Sequence, residues 1–232
     1  MISSSLDKRL LSCADYVRVG AVLADIGTDH GYLPLFLLRE GRIQRAYLCD
    51  VNEGPLSSAK RNAAADGFLD KCEFILTDGA AALAGKGVTD YTVCGMGGEL
   101  IARIIEDAPH LKAQGTRLVL QPMTKQENLR RYLASAGFAV LDERFSFDSG
   151  KYYVTLLAEY TGERREISDS EAELGIGVPH SIDRDEYLGF LEGKRRAAEK
   201  ALLGKRSGGY DAPEEEARLS LIDERISDAR KI

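Results

Sequence analysis

The feature that most constrains this chain is the repeated switch of its hydrophobic period across the first two-thirds. Short apolar runs at AVLADI (21–26), AYLCDV (46–51), CEFILT (72–77), YTVCG (91–95) and TRLVLQ (116–121) read as buried strands. Helical patterns near 4–18, 31–40, 54–66, 98–107 and 125–136 flank and separate them. Strands with no polar face, alternating with helices of this length, belong to right-handed βαβ units around a parallel sheet covered on both sides. The following segment, GFAVLDERFSFDSGKYYVTLLAEY, reads as two strands joined by a turn at Asp148-Ser149-Gly150. An antiparallel hairpin is therefore expected to close one edge of the sheet. The fold class is α/β, with five parallel strands plus that hairpin.

Composition shifts after Tyr160. Residues 161–182 carry Gly162, Gly175, Gly177 and Pro179 and read as a linker or irregular docking segment. Two helical stretches follow, about 183–206 and 213–231, with Asp211 expected as the N-cap and Pro213 in the first turn of the second. Tyr187, Leu188, Leu191, Ala198 and Leu202 fall on one side of the first; Leu219, Ile222 and Ile226 recur along the second. The expected division is residues 1–162 as an α/β domain and residues 163–232 as a linker and an appended α-helical, coiled-coil-like hairpin.

Hydrophobic residues are 44% of the 232 and charged residues 29%, the balance of a soluble globular protein. No run approaches the roughly 20 apolar residues of a membrane span, and the first residues carry charges through their apolar positions, unlike a secretory signal. Cys13, Cys49, Cys72 and Cys94 form no C-x-x-C pair, so reduced thiols in a cytoplasm fit better than a metal site or a disulfide framework. The net charge of −6 weighs against a nucleic-acid partner, and the C-terminal part (net −4) is more acidic than the first 162 residues (net −2). Local basic groups exist at Lys8-Arg9, Arg42 with Arg45, Lys60-Arg61, Arg130-Arg131 and Lys194-Arg195-Arg196. Each reads as a solvated helix face or as part of a patch.

The chemistry is carried by the strand ends. Asp25-Ile26-Gly27-Thr28-Asp29-His30-Gly31 stands where the first strand gives way to a helix, in a turn that glycine makes possible. The turn lacks both the G-x-G-x-x-G of a dinucleotide site and the P-loop pattern. The second strand ends in Asp50, where an acid can accept two hydrogen bonds from ribose hydroxyls. The third ends in Asp78-Gly79, able to accept from an adenine amino group; the fourth ends in Gly95-Met96-Gly97, and the fifth in Gln121-Pro122-Met123. Ligands of open α/β sheets bind outside such carboxyl ends, at the switch point.

D-x-G-x-x-x-G, an acid ending strand two and D-G after strand three resemble a class I S-adenosylmethionine-dependent methyltransferase. Here Asp29 holds the place of the usual middle glycine. The fuller strings ADIGTDHGYLP, NEGPLSSAKRN, CGMGGELI and LQPM, with the terminal helical hairpin, resemble the TrmK family of bacterial tRNA (adenine-N1)-methyltransferases acting at position 22. The resemblance implies a Rossmann-like methyltransferase sheet with S-adenosyl-L-methionine as cofactor and tRNA as partner. It places Asp25, Gly27, Thr28, Asp29, His30 and Gly31 around the methionine part. Asp50 and Val51 would meet the ribose and one adenine face, and Asp78 and Gly79 the adenine. Gly95, Met96 and Gly97 would line the floor beneath, and Gln121 joins the cofactor set. Adenine N1 has a free lone pair, so alignment and tolerance of positive charge matter more than a base. Asp29 is the expected electrostatic residue, with His30 and Tyr32 positioning the base or the methionine end; Tyr32, Met96 and Met123 offer stacking surface. No metal is expected, and a cytoplasmic monomer is. Two other readings stay open: a methyltransferase of a protein or small molecule, favoured by the acidic pI, or a cofactor-binding protein whose hairpin recruits a partner.

Overall fold

The computed structural model describes residues 6–177 and 184–231. Residues 4, 5 and 183 of the expected helices, and Pro179 of the expected linker, lie outside them. The chain runs α1 (Lys8–Tyr16), β1 (Ala21–Ile26), α2 (Tyr32–Arg39), β2 (Ile43–Asp50), α3 (Glu53–Ala65), β3 (Cys72–Leu76), β4 (Asp90–Gly97), α4 (Gly98–Glu106), β5 (Arg117–Thr124) and α5 (Gln126–Ala136). β6 (Phe138–Asp148), β7 (Lys151–Tyr160), α6 (Asp169–Leu174), α7 (Arg184–Ser207) and α8 (Pro213–Lys231) complete it. One mixed sheet of seven strands has the order β3-β2-β1-β4-β5-β7-β6, with β1–β5 parallel and β7 antiparallel to both β5 and β6. The five-plus-hairpin expectation holds.

Each face of the sheet buries a separate apolar cluster. Cys13 and Tyr16 of α1, Leu33 and Leu37 of α2, and Ala59 and Ala63 of α3 cover one side. Ile101, Ile104 and Ile105 of α4 and Leu129 and Leu133 of α5 cover the other. α1 starts where Asp7 accepts a hydrogen bond from Leu10 N at 2.7 Å, an N-cap that offsets the unpaired donors of the first turn.

Two local expectations are corrected. The stretch read as a linker contains α6, whose start is a full capping box: the Ser168 side chain accepts from Glu171 N, and Glu171 accepts from Ser168 N. α8 begins at Pro213, so the residue before it is Ala212, which is buried, rather than Asp211.

The α7–α8 hairpin is antiparallel, as the pairs Arg195–Asp223 and Lys205–Glu215 show. It docks on its own chain. Tyr187 and Phe190 of α7 pack at a tilt against Phe145 of β6, ring centroids 4.6 and 4.8 Å apart, within the same core cluster as α4 and α5. Beside them Arg130 of α5, with no exposed surface, pairs with Glu143 of β6 at 2.7 Å and donates to the Ala172 carbonyl of α6 at 2.8 Å. Removing one member of a buried pair strands the other charge without water. Glu143→Ala should therefore cost about 3–5 kcal/mol of stability, read by urea unfolding; a loss below about 1 kcal/mol, the scale of a surface pair, would show that the pair is not what joins α5, α6 and β6.

Candidate active site

β1 and β4 are hydrogen-bonded neighbours, yet the helices that follow them, α2 and α4, pack on opposite faces of the sheet. The chain thus parts at the carboxyl ends of these strands, and a cleft of about 510 Å³ opens there. Its walls come from the β1 turn, the ends of β2 and β4, and the starts of α1 and α3.

The β1 turn is tied to β2 by its own backbone: Gly27 N and Thr28 N both donate to the Cys49 carbonyl, at 2.8 and 2.9 Å. Gly27 has φ +72°, and a Cβ there would stand 2.1 Å from Met96 Cε, so only glycine lets Met96 close over the turn. Asp29 also has positive φ, +51°, which explains why glycine can replace it and shows local strain at the cleft. It does not cap α2, whose N-cap is Gly31. Asn62 of α3 donates to the His30 carbonyl at 2.9 Å and holds the turn from the other side.

Four carboxylates line the cleft: Asp7, Asp25, Asp29 and Asp50. Asp25 is buried and accepts from Thr92 Oγ1 at 2.6 Å. Burial pushes its carboxyl above the ordinary value, offset in part by the Thr92 and Thr28 hydroxyls. Asp50 accepts from Asn52 N at 2.9 Å and, more loosely, from Asp29 N at 3.4 Å. A carboxylate has about four lone-pair sites, so Asp50 keeps acceptors for a ligand. Asp29 stands 3.4 Å from His30 Nε2, and the His30 and Tyr32 rings are 5.3 Å apart.

The floor is a β-bulge. Pairing of β4 with β5 slips between Cys94 and Met96, leaving Gly95 unpaired in the ladder, and Gly95 N donates instead to Gln121 Oε1 at 3.1 Å. Cys94 lies beside it with its thiol 3.5 Å from Cys13 Sγ; that hydrogen bond and burial hold the Cys94 thiol well above its ordinary pKa.

Of the residues singled out from sequence, Asp25, Gly27, Thr28, Asp29, Tyr32, Asp50, Gly95 and Met96 line the cleft together. His30 and Gly31 stand behind in the turn, Gln121 is fully buried beneath Gly95, and Gly97 ends β4. Val51 is exposed past β2, while Asp78 and Gly79 occupy the bend after β3. Sequence reasoning did not place Asp7, Arg9 (read only as half of a basic pair) and Leu10 of the α1 start in the cleft, nor Asn52 and Pro55 at the start of α3. The last two sit inside NEGPLSSAKRN and were open to discovery; α1 carries no motif, and only the fold lays it across the cleft. Several basic groups are also spoken for: Arg130 is buried, Arg42 donates to the Val17 and Asp15 carbonyls, and Arg195 pairs with Asp223. Among the described residues no helix is long and apolar enough to cross a membrane, and no three His, Cys, Asp or Glu side chains are grouped to hold a metal ion.

Because Asn keeps the acceptor that Thr92 uses while removing a buried charge, Asp25→Asn should unfold at an equal or higher temperature than the parent chain. A clear drop in Tm would mean that the Asp25 charge itself supports the fold.

The methyltransferase-domain family profile matches residues 6–156. The tRNA (adenine(22)-N(1))-methyltransferase of Bacillus subtilis is 37% identical over 189 residues, 81% of this chain and 79% of that protein. Among solved structures, a Streptococcus pneumoniae protein in complex with S-adenosyl-L-methionine superposes with a TM-score of 0.83 at 31% identity, covering 96% of this chain and 100% of that one. The B. subtilis m1A22 tRNA methyltransferase TrmK superposes with a TM-score of 0.75 at 26% identity, covering 99% of each. With the cleft at the switch point of its sheet and these likenesses along nearly its whole length, the chain belongs to the methyltransferase-domain family and, within it, to the tRNA (adenine(22)-N(1))-methyltransferases.

Proposed function

We propose that this chain transfers a methyl group from S-adenosyl-L-methionine to N1 of the adenine at position 22 of bacterial tRNA, as a monomer in the cytoplasm. Residues 1–162 form the methyl-transfer domain, and residues 163–232 the linker and helical hairpin. The observation that carries the reading is the set of carboxylates at adjoining strand ends, in a chain whose relatives are named for this reaction.

The donor set suits the cofactor. Asp50, with acceptors left over at the end of β2, matches a vicinal ribose diol. Asp25 and Asp29 give the β1 turn a negative field suited to a ligand with a sulfonium and an ammonium. The space that a Cβ at Gly27 would take is held by Met96, which keeps the turn's backbone close against the floor. Bound there, the cofactor supplies an electrophilic methyl group. Asp50, Val51, Asp78 and Gly79 hold its adenosine, and the turn from Asp25 to Gly31 surrounds its methionine, with Gly95, Met96, Gly97 and Gln121 supporting the floor.

The acceptor needs little acid–base chemistry. N1 presents a free lone pair, and its methylation leaves the base cationic at neutral pH. The enzyme's work is alignment and charge stabilisation. Asp29, its side chain 68% exposed at the cleft, supplies negative charge where that cation forms, while Tyr32 offers a ring face to the base and His30, its ring 5.3 Å away, positions Tyr32. N1 lies on the Watson–Crick edge, so the base must leave its stack at a cost of a few kcal/mol. Tyr32 and Met123, both exposed beside the cleft's strand ends, offer surface that offsets part of it.

Transfer of labelled methyl from S-adenosyl-L-methionine into unmodified bacterial tRNA, followed by nucleoside analysis, should yield 1-methyladenosine at position 22. Absence of label from a chain that still binds the cofactor would overturn the acceptor. Asp50→Asn should weaken S-adenosyl-L-homocysteine binding roughly 10- to 100-fold, the scale of a lost hydrogen bond to a charged group, with little change in KM for tRNA. Asp29→Asn should lower kcat at saturating cofactor at least about tenfold, or about 1.4 kcal/mol, beyond any loss of cofactor affinity; full turnover would remove Asp29 from the mechanism.

A further inference from the structure

Among the described residues that line the cleft, four are carboxylates and only Arg9 is a cation. Arg9 is no loose surface residue. Its side chain is 20% exposed, Nη1 donates to Gln121 Oε1 at 3.0 Å, and Nη2 reaches Asp7 Oδ2 at 3.2 Å. The guanidinium also stands over the Tyr153 ring, 5.9 Å from its centroid. Gln121 Oε1 takes the Gly95 amide as well, so the same oxygen that fixes the floor of the cleft fixes the arginine. Nη1 lies 3.9 Å from where a Cβ on Gly95 would be, which puts the charge at the end of β4, away from Asp50 at the end of β2. A guanidinium has five N–H donors, and the bonds to Gln121 and Asp7 use two.

We propose that Arg9 receives the α-carboxylate of the cofactor's methionine part, an inference that rests on the cofactor reading above. S-Adenosyl-L-methionine carries one anionic group; its other charges, on sulfur and on the α-amino nitrogen, are positive. A cleft lined by four carboxylates suits the positive groups and repels the negative one unless a cation is supplied. Arg9 supplies it, held in one place by Gln121, Asp7 and Tyr153 so that little side-chain freedom is lost on binding. Planar guanidinium and planar carboxylate also match in a paired geometry that lysine cannot reproduce. Arg9 is thus a cofactor-binding residue, and α1 becomes part of the cofactor site.

The test compares two ligands by calorimetry on the full chain: S-adenosyl-L-homocysteine, and 5′-methylthioadenosine, which keeps the adenosine and sulfur but has no amino-acid part. Arg9→Gln should weaken S-adenosyl-L-homocysteine about 10- to 100-fold and change 5′-methylthioadenosine by less than about twofold. Arg9→Lys, which keeps the charge and guards against a variant that fails to fold, should show a smaller loss confined to the same ligand. Equal weakening of both ligands would overturn the proposal and make Arg9 a residue that only shapes the floor. Unchanged affinity for both, with a raised KM for tRNA, would overturn it in favour of a contact to an RNA phosphate. If the parent chain bound neither ligand, the cofactor reading itself would fall, an outcome distinct from either of these.

Discussion

Everything in this molecule that bears on chemistry depends on one constraint of parallel sheets: a crevice opens where two neighbouring strands send their chains to opposite faces. β1 and β4 are those strands. A buried parallel sheet satisfies its backbone donors and acceptors along the strands, but at the carboxyl ends the chain must turn and polar groups are released toward solvent. Here those ends carry Asp25, Asp50 and the Gly95 bulge, so acceptors and bare backbone converge on one volume.

Electrostatics resolves the tension between an acidic chain and a polyanionic partner. Under the proposed function, the Asp25 and Asp29 carboxylates of the cleft stand where cationic ligand groups and a cationic product belong. Asp25 shows the cost: buried, with its carboxyl pushed up by desolvation, it is held by the Thr92 hydroxyl rather than by a cation. Structural cations are used elsewhere. Arg130 is consumed by Glu143 on the next element, and Arg18 by the fully buried Asp90, 72 residues away. A basic pair in the sequence is therefore a poor guide to a binding patch, because the same side chain serves as a buried clamp when the fold supplies an acid.

The helical hairpin is held by shape as much as by charge. Phe145, Tyr187 and Phe190 form one aromatic cluster across β6 and α7, and α6, unseen in the sequence because six residues give too short a period to register, fills the corner beside Arg130. α7 also reaches the tip of the β6–β7 hairpin: Phe147 N donates to Glu186, whose carboxylate is 3.5 Å from Lys8 Nζ of α1. The appendage thus meets the helix that carries Arg9 at an exposed ion pair.

Local patterning alone determined the strands and helices of the α/β part, the closing hairpin and most of the β1 turn, because hydrophobic period and turn chemistry are short-range properties. It also brought out Asp25, Asp29 and Asp50, since acids at strand ends keep their meaning wherever the sheet is built. Tertiary structure decided the rest. It alone laid α1 across the cleft and made Arg9 part of the site, withdrew Arg130 from the surface, and put the buried Ala212 in place of Asp211 before α8. The physical reason is the same in each case: a side chain's charge, burial and partner are set by segments far away in sequence, 112 residues separating Arg9 from Gln121, and no local pattern encodes which of them it will meet.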